Sequence, residues 1–258
     1  MSNVPVSAGK HTAFPDGLTG STLKIIAITT MFIDHIGATI FENGEIAMHI
    51  MAKGETAYMI WEIIDLALRL IGRIAFPIFC FLLVEGFLHT KNVKKYSQRL
   101  CVFCLISELP FNLAFFGTIS APGHQNVFFT LLIGLLVLTG MKHFSGNDFK
   151  SRAGRAAIIF SGVFAATIAN TDYAGYGVAV IILFYLLHDS KTARDISTMA
   201  VLLCSSLLEI TGLFALIPIH LYNGKRGLSL KYFFYLFYPA HLLILCGVRE
   251  LLLLTVFR

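Results

Sequence analysis

The sequence predicts an all-α, polytopic integral membrane protein, a bundle of about nine transmembrane helices whose N-terminus is cytoplasmic. Three observations predict it. Of 258 residues, 56% are hydrophobic and only 14% are charged, against roughly a quarter charged in soluble proteins. Mean hydropathy is +0.75. The charges gather in short clusters between solid apolar runs that lack the polar alternation of a membrane β-barrel.

The first run, residues 23–41, follows a polar preface containing Gly and Pro (1–22), with no small-residue cleavage pattern after it. It therefore reads as a retained helix and not a signal peptide. Residues 23–258 read as a single transmembrane domain. The second helix, 60–89, is long enough to need a bend, which is expected at Pro77. The remaining helices are expected at 96–116, 127–141, 156–169, 176–188, 196–208, 213–222 and 232–257. Several fall short of the roughly 20 residues that span a bilayer, which implies tilting, a locally thin membrane, or helices that stop at a water-filled cavity.

The loops set the orientation. Lys91, Lys94, Lys95 and Arg99, then Lys142, Lys150, Arg152 and Arg155, then Lys191 and Arg194, then Lys225, Arg226 and Lys231 occupy the even-numbered connections. The odd ones hold Glu42, Glu45, Glu55 and Glu62, then Gln125 and Asn126, then Asp172, then Glu209. Positive charge stays on the cytoplasmic side, so the C-terminus is expected outside. The net charge of +5 is divided among loops and forms no stripe that follows a nucleic acid. Cys80, Cys101, Cys104, Cys204 and Cys246 all lie in apolar runs, and Cys101-x-x-Cys104 lacks the second pair of a zinc site. Neither a disulfide framework nor a metal is expected.

An ionisable group at membrane depth is costly enough to be a functional candidate. Counted at about 1.5 Å per residue from the basic helix ends, Asp34 and His35 lie roughly 15 Å deep, Arg73 roughly 24 Å, Glu108 roughly 18 Å and His241 roughly 15 Å. Two imidazoles, two carboxylates and a guanidinium near one level suit proton-transfer chemistry. Each also has a structural reading. Asp34 and Arg73 can pair two helices, Glu108 can serve backbone groups disturbed by Pro110, and His241 can donate to a carbonyl. His35 stands out because Lys24, eleven residues earlier, shares its helix face. Asp34 is about 100° away around the helix and cannot orient that imidazole; by depth, Glu108 is the candidate. Asn112, Gln125 and Asn126 are candidate substrate-binding groups at the far side, with Arg73 or Asn112 as oxyanion donors. Glu85 and His89 form an i, i+4 pair near the basic end of their helix.

These residues also carry a resemblance. Leu23-Lys24-Ile25-Ile26-Ala27 through Asp34-His35-Ile36-Gly37, Gly72-Arg73-Ile74-Ala75-Phe76-Pro77, Val84-Glu85-Gly86-Phe87, Ile106-Ser107-Glu108-Leu109-Pro110-Phe111 and Gln125-Asn126-Val127-Phe128-Phe129-Thr130 resemble the TraX family. The match is dense over 23–138 and thinner beyond, where Tyr238-Pro239-Ala240-His241-Leu242 is clearest. The family's founding member acetylates the N-terminus of conjugative pilin. TraX proteins in turn resemble transmembrane acyltransferases, including the acyltransferase-3 family, whose first helix carries a basic residue and a histidine eleven positions on. Lys24 and His35 match that spacing, with Lys replacing the usual Arg, a point charge in place of a planar fork.

The resemblance implies acetyl-CoA as donor, His35 as general base, and a bacterial inner-membrane location. Lys24, Lys94, Lys95, Arg99, Arg155, Lys225 and Arg226 are the cations available for the donor's phosphates, although the loop residues among them would be basic merely to set topology. The acceptor would be a protein N-terminus, glycan, lipid or small amine. A proton-coupled transporter and a non-catalytic membrane scaffold are the rival classes.

Overall fold

The structure, a computed structural model, describes residues 17–229 and 231–256, and the described chain is helical with no extended sheet. Helix α1, Gly20–Ile36, begins where the Thr19 hydroxyl accepts from the amide of Thr22, three residues before the apolar run suggests. Its first amides, which have no partner within a helix, donate to the carbonyls of Lys225 and Arg226 at 2.8 and 3.0 Å. A loop from the far end of the sequence is thereby strapped over the start of α1. After Ile36 the helix widens into a π-helical turn, Gly37–Phe41, and a short helix α2, Gly44–Met51, capped by Asn43, fills the first connection.

The expected second helix is two, α3 Glu55–Gly72 and α4 Ala75–His89. The break lies at Arg73–Ile74 and not at Pro77. Proline cannot donate to the carbonyl four residues back and crowds it, so the disturbance falls one turn before the ring, and Pro77 itself sits comfortably in the first turn of α4. Helix α5, Val93–Phe116, runs through Pro110 and ends at Gly117 with φ +63°. Then come α6 Val127–His143, capped by Asn126, α7 Phe149–Ile168, capped by Asp148, and α8 Ala174–Leu186. The seventh and eighth expected helices resolve differently: α9 Lys191–Ser205, a 3-10 segment Leu207–Ala215 and one turn of helix, α10 Leu216–His220. Helix α11, Lys231–Thr255, closes the described chain; its expected end at Phe257 lies outside the described residues.

Among the described residues, four stretches are long and apolar enough to cross a membrane: Gly20–Phe41, Glu55–His89, Val93–Phe116 and Tyr232–Thr255. Val127–His143, Ala174–Leu186 and Leu207–His220 are apolar but shorter. The core joins them. Leu23 and Ala27 of α1, Ile78 and Val84 of α4, Leu135 and Leu138 of α6, Val178 and Ile181 of α8 and Leu242 of α11 form one buried cluster. The outside is apolar as well, with Ile60, Ile63, Leu243, Ile244 and Leu251 among the exposed residues. Such a surface is suited to lipid, not water.

Small residues set helix separations, as in membrane bundles generally. A Cβ on Gly72 would stand 2.1 Å from the Cβ of Asp34, so only glycine lets α3 approach α1 this closely. Gly72→Ala is therefore expected to destabilise by about 1–3 kcal/mol through overpacking, read as a lowered thermal midpoint in detergent. Gly247→Ala on α11, where an added Cβ meets nothing within 4 Å, is expected to be neutral or stabilising by up to about 1 kcal/mol.

Candidate active site

Two cavities meet inside the bundle. The first, about 560 Å³, is lined by Lys24, Glu85, Arg99 and Arg226 together with aromatic groups including Tyr96 and Tyr235. The second, about 600 Å³, is lined by Asp34, His35, Glu42, Arg69, Arg73, Asp172, Tyr173 and Glu209. Met31, Phe79, Val127 and Tyr238 line both and form the wall between them. Among the residues of α1 and the turn after it that line the cavities, Lys24, Met31, His35, Ala38 and Glu42 are spaced seven, four, three and four apart. That is one face of a helix, running from a cation in one cavity, past the shared wall, to a carboxylate in the other.

His35, just beyond the wall, is buried, as is His241 of α11. Nδ1 of His35 lies 2.6 Å from Nε2 of His241. The ring centroids are 4.9 Å apart and the planes differ by 4°, the geometry of an in-plane hydrogen bond between coplanar rings and not of face-to-face stacking. The other nitrogen of His241, Nδ1, is 2.7 Å from the carbonyl of Phe237. A carbonyl only accepts, so Nδ1 of His241 carries a proton, and in the neutral ring Nε2 is then an acceptor. His35 must donate from Nδ1, which leaves its Nε2 with a lone pair. Among the described residues no group bonds that nitrogen, and His35 lines the second cavity. One backbone carbonyl thus fixes two tautomers.

Beside this pair runs a chain of charges. Asp34 accepts from Arg69 Nη1 at 2.6 Å and Arg73 Nη2 at 3.1 Å. Arg73 Nη1 continues to Glu209 Oε1 at 3.0 Å, and Arg69 Nε to Glu42 Oε1 at 3.1 Å. Arg73 also donates to the Tyr173 hydroxyl. Arg73 reaches them because it occupies the break between α3 and α4. Tyr173 is held in the left-handed region, φ 65°, between Asn170 and Ala174, which are also left-handed. Its ring stacks on Phe76 at 3.6 Å between centroids. Three such non-glycine residues in one turn store backbone strain, and here the strained turn delivers a phenol to the charge chain.

The family model described as "TraX protein" matches residues 19–249. The chain belongs to the TraX family. A curated relative, "Probable fimbrial assembly protein FimC, serogroup H1" of Dichelobacter nodosus, is 30% identical over 266 residues, covering 89% of this chain and 95% of its own length. No solved structure matches. The part shared with TraX proteins includes both cavities and both histidines.

Within this TraX chain the residues singled out from sequence separate into two groups. His35, His241, Asp34, Arg73 and Gln125 come together at or beside the second cavity. Glu108 does not orient His35. It binds Asn126 Nδ2 at 2.6 Å, while Asn126 also donates to the Cys104 carbonyl and caps α6. His241 takes the place expected of Glu108, because Pro110 and the Asn126 cap hold Glu108 at the α5–α6 contact. Asn112 and Asn126 line neither cavity; Asn112 is buried and donates to Ile119.

Of the seven cations, Lys24, Arg99 and Arg226 line the first cavity. Lys94, Lys95 and Lys225 are exposed away from it, and Arg155 binds the carbonyls of Phe144 and Gly146 as a cap on the α6–α7 turn. Arg69, Glu209, Tyr173 and Tyr238 are site residues that sequence reasoning missed. A signal existed for Arg69: Asp65, Arg69 and Arg73 recur every fourth residue on one face of an apolar helix.

At the mouth of the first cavity, Glu85 is engaged by His188 Nε2 at 2.8 Å and approached by His89 at 3.8 Å. The hydrogen bond to Glu85 outweighs partial burial and holds the His188 pKa above its ordinary value. A raised folded-state pKa stabilises fully below the unfolded value of about 6.5 and loses that contribution as pH rises through the folded one. The difference in thermal midpoint between wild type and His188→Gln is therefore expected to be largest on the acid side of neutrality and to shrink as pH rises. A pH-independent difference would contradict this pairing.

Removing Asp34 takes the shared carboxylate from two partly buried guanidinium groups, leaving Arg73 with Glu209 and Arg69 with the half-exposed Glu42. Asp34→Ala is expected to destabilise by about 3–5 kcal/mol. Glu42→Ala, at the half-exposed outer end of the chain, is expected to cost less than about 1 kcal/mol. Thermal unfolding of the two variants compares them directly.

Proposed function

We propose that this TraX protein is a membrane-embedded acetyltransferase that moves an acetyl group from acetyl-CoA to an amine or hydroxyl acceptor, with His35 as general base. The observation that carries the reading is the unpartnered Nε2 of His35, its tautomer set through His241, beside the wall between two cavities of different charge. In this reading the basic end of the bundle is cytoplasmic, the N-terminus with it, and the membrane is the bacterial inner membrane. Lys24, Arg99 and Arg226 then stand where the phosphates of coenzyme A would enter. Aromatic rings around them suit the rest of a long, thin donor, whose thioester would reach the shared wall. The acceptor would enter through the second cavity.

The chemistry follows from the tautomer. The acceptor's nitrogen or oxygen attacks the thioester carbonyl carbon while His35 Nε2 takes its proton. The C–S bond breaks, and the thiolate of coenzyme A leaves with the proton that His35 returns. While His35 is an imidazolium, its Nδ1–H points at the lone pair of His241 Nε2, so His241 orients and stabilises the cation as a buried partner does in a catalytic triad. The relative's name as a fimbrial assembly protein and the family's link to pilin favour a protein N-terminus among the possible acceptors.

The test is transfer of labelled acetyl from acetyl-CoA by the purified protein, with a mixed pool of amine and hydroxyl acceptors. His35→Ala is expected to abolish transfer, and His241→Ala to lower kcat by about 10²-fold or more with the KM for acetyl-CoA little changed. Wild-type protein that neither binds nor consumes acetyl-CoA would contradict the reading. In that case, proton-coupled flux in liposomes is the measurement for the transporter that a histidine pair between two cavities would also serve.

A further inference from the structure

Acyl transfer places negative charge on the thioester oxygen as the acceptor attacks, and a hydrogen-bond donor must meet it there. The sequence offers Arg73 or Asn112. Asn112 lines neither cavity, and Arg73 lines only the second, its terminal nitrogens bonded to Asp34, Glu209 and Tyr173. The donor has to be sought where the two substrates meet, which is the wall formed by Met31, Phe79, Val127 and Tyr238. Of these four, only Tyr238 has a side chain that donates a hydrogen bond.

Tyr238 is 3% exposed, and its buried hydroxyl finds no acceptor for its proton among the described residues; the Val127 backbone amide at the start of α6 faces its oxygen. Other buried polar atoms lack partners too, among them Arg73 Nε, Arg99 Nε and Glu209 Oε2, but each of those residues lines one cavity. Tyr238 alone among them lines both. A buried O–H without an acceptor is rare because it forfeits a bond to water, and a phenol normally finds one. The ring is fixed by edge-to-face contacts with His35 at 5.8 Å, His241 at 5.7 Å and Phe128 at 5.2 Å. Donor and base therefore belong to one packed unit.

Building on the acetyltransferase reading, we propose that Tyr238 is a catalytic residue whose hydroxyl donates to the thioester oxygen as it becomes an oxyanion. The acceptor attacks the carbonyl carbon and gives its proton to His35 Nε2. The carbonyl π electrons move onto oxygen, where the Tyr238 O–H meets them. When the carbonyl re-forms, the C–S bond breaks and coenzyme A leaves as the thiol with the proton from His35. Tyr238 keeps its own proton throughout. The missing acceptor for the buried O–H is, in this account, the substrate's oxygen.

Tyr238→Phe tests this, because it keeps the ring and its contacts and removes only the hydroxyl. With labelled acetyl-CoA and the same acceptor pool, kcat is expected to fall by about 10²–10³-fold while the KM for acetyl-CoA stays within about twofold and the thermal midpoint does not fall. Turnover in Tyr238→Phe within about threefold of wild type would overturn the donor and leave the acetyltransferase reading standing. A loss carried wholly by KM would overturn it too, by assigning Tyr238 to ground-state binding. No turnover in the wild type would fail the reading on which the proposal rests, and the proposal with it.

Discussion

The charge chain beside the second cavity depends on one carboxylate between two guanidinium groups. Asp34 bonds Arg69 and Arg73, and that pairing is what makes the positions of α1, α3, α4 and the 3-10 segment consistent with one another. Ions inside a bundle are tolerable only when paired, so each helix that supplies a charge is held in register by the others. Gly72 permits the approach, the break before Pro77 turns Arg73 inward, and Glu209 reaches Arg73 from a segment too short to be a full span. The π turn serves the same purpose: a Cβ on Gly37 would strike Asp65 and Arg69.

The ion network positions α1, and α1 positions His35. Once Asp34 faces Arg69 and Arg73, His35 is rotated about 100° away, toward α11 and His241. Helix geometry thus separates two adjacent residues: one anchors, and the other is left open to the second cavity, where it is the proposed base. His241 suits its place because its second nitrogen is committed to the Phe237 carbonyl. A ring with both nitrogens open would leave the tautomer of His35 undetermined. Two cavities sharing one wall at this point suit chemistry between molecules that arrive from different sides.

Much of this was legible in the sequence. Helical membrane character followed from apolar runs and charge clustering, and the eleven-residue spacing of Lys24 and His35 traces the face that runs from one cavity to the other. Converging depth brought together Asp34, His35, Arg73 and His241. It failed for Glu108, since depth along a helix says nothing about rotation around it, and Glu108 points to α6. Charge alone also failed to separate topology from site: Lys94, Lys95 and Arg226 read alike, but only Arg226 lies on the loop strapped to the start of α1. Glu209 was hidden by an irregular segment with no helical period, and Tyr238 by being an ordinary aromatic residue until its buried O–H is seen without an acceptor.

The central claim is a tautomer, and nitrogen NMR of the protein labelled at histidine measures it directly. The account requires His35 with Nδ1 protonated and Nε2 bare, and His241 also protonated at Nδ1, in the neutral protein. It further requires that replacing His241 by alanine lets His35 sample both tautomers. A wild-type spectrum in which Nε2 of His35 carries the proton would contradict the account, because that nitrogen could then accept nothing from an incoming nucleophile.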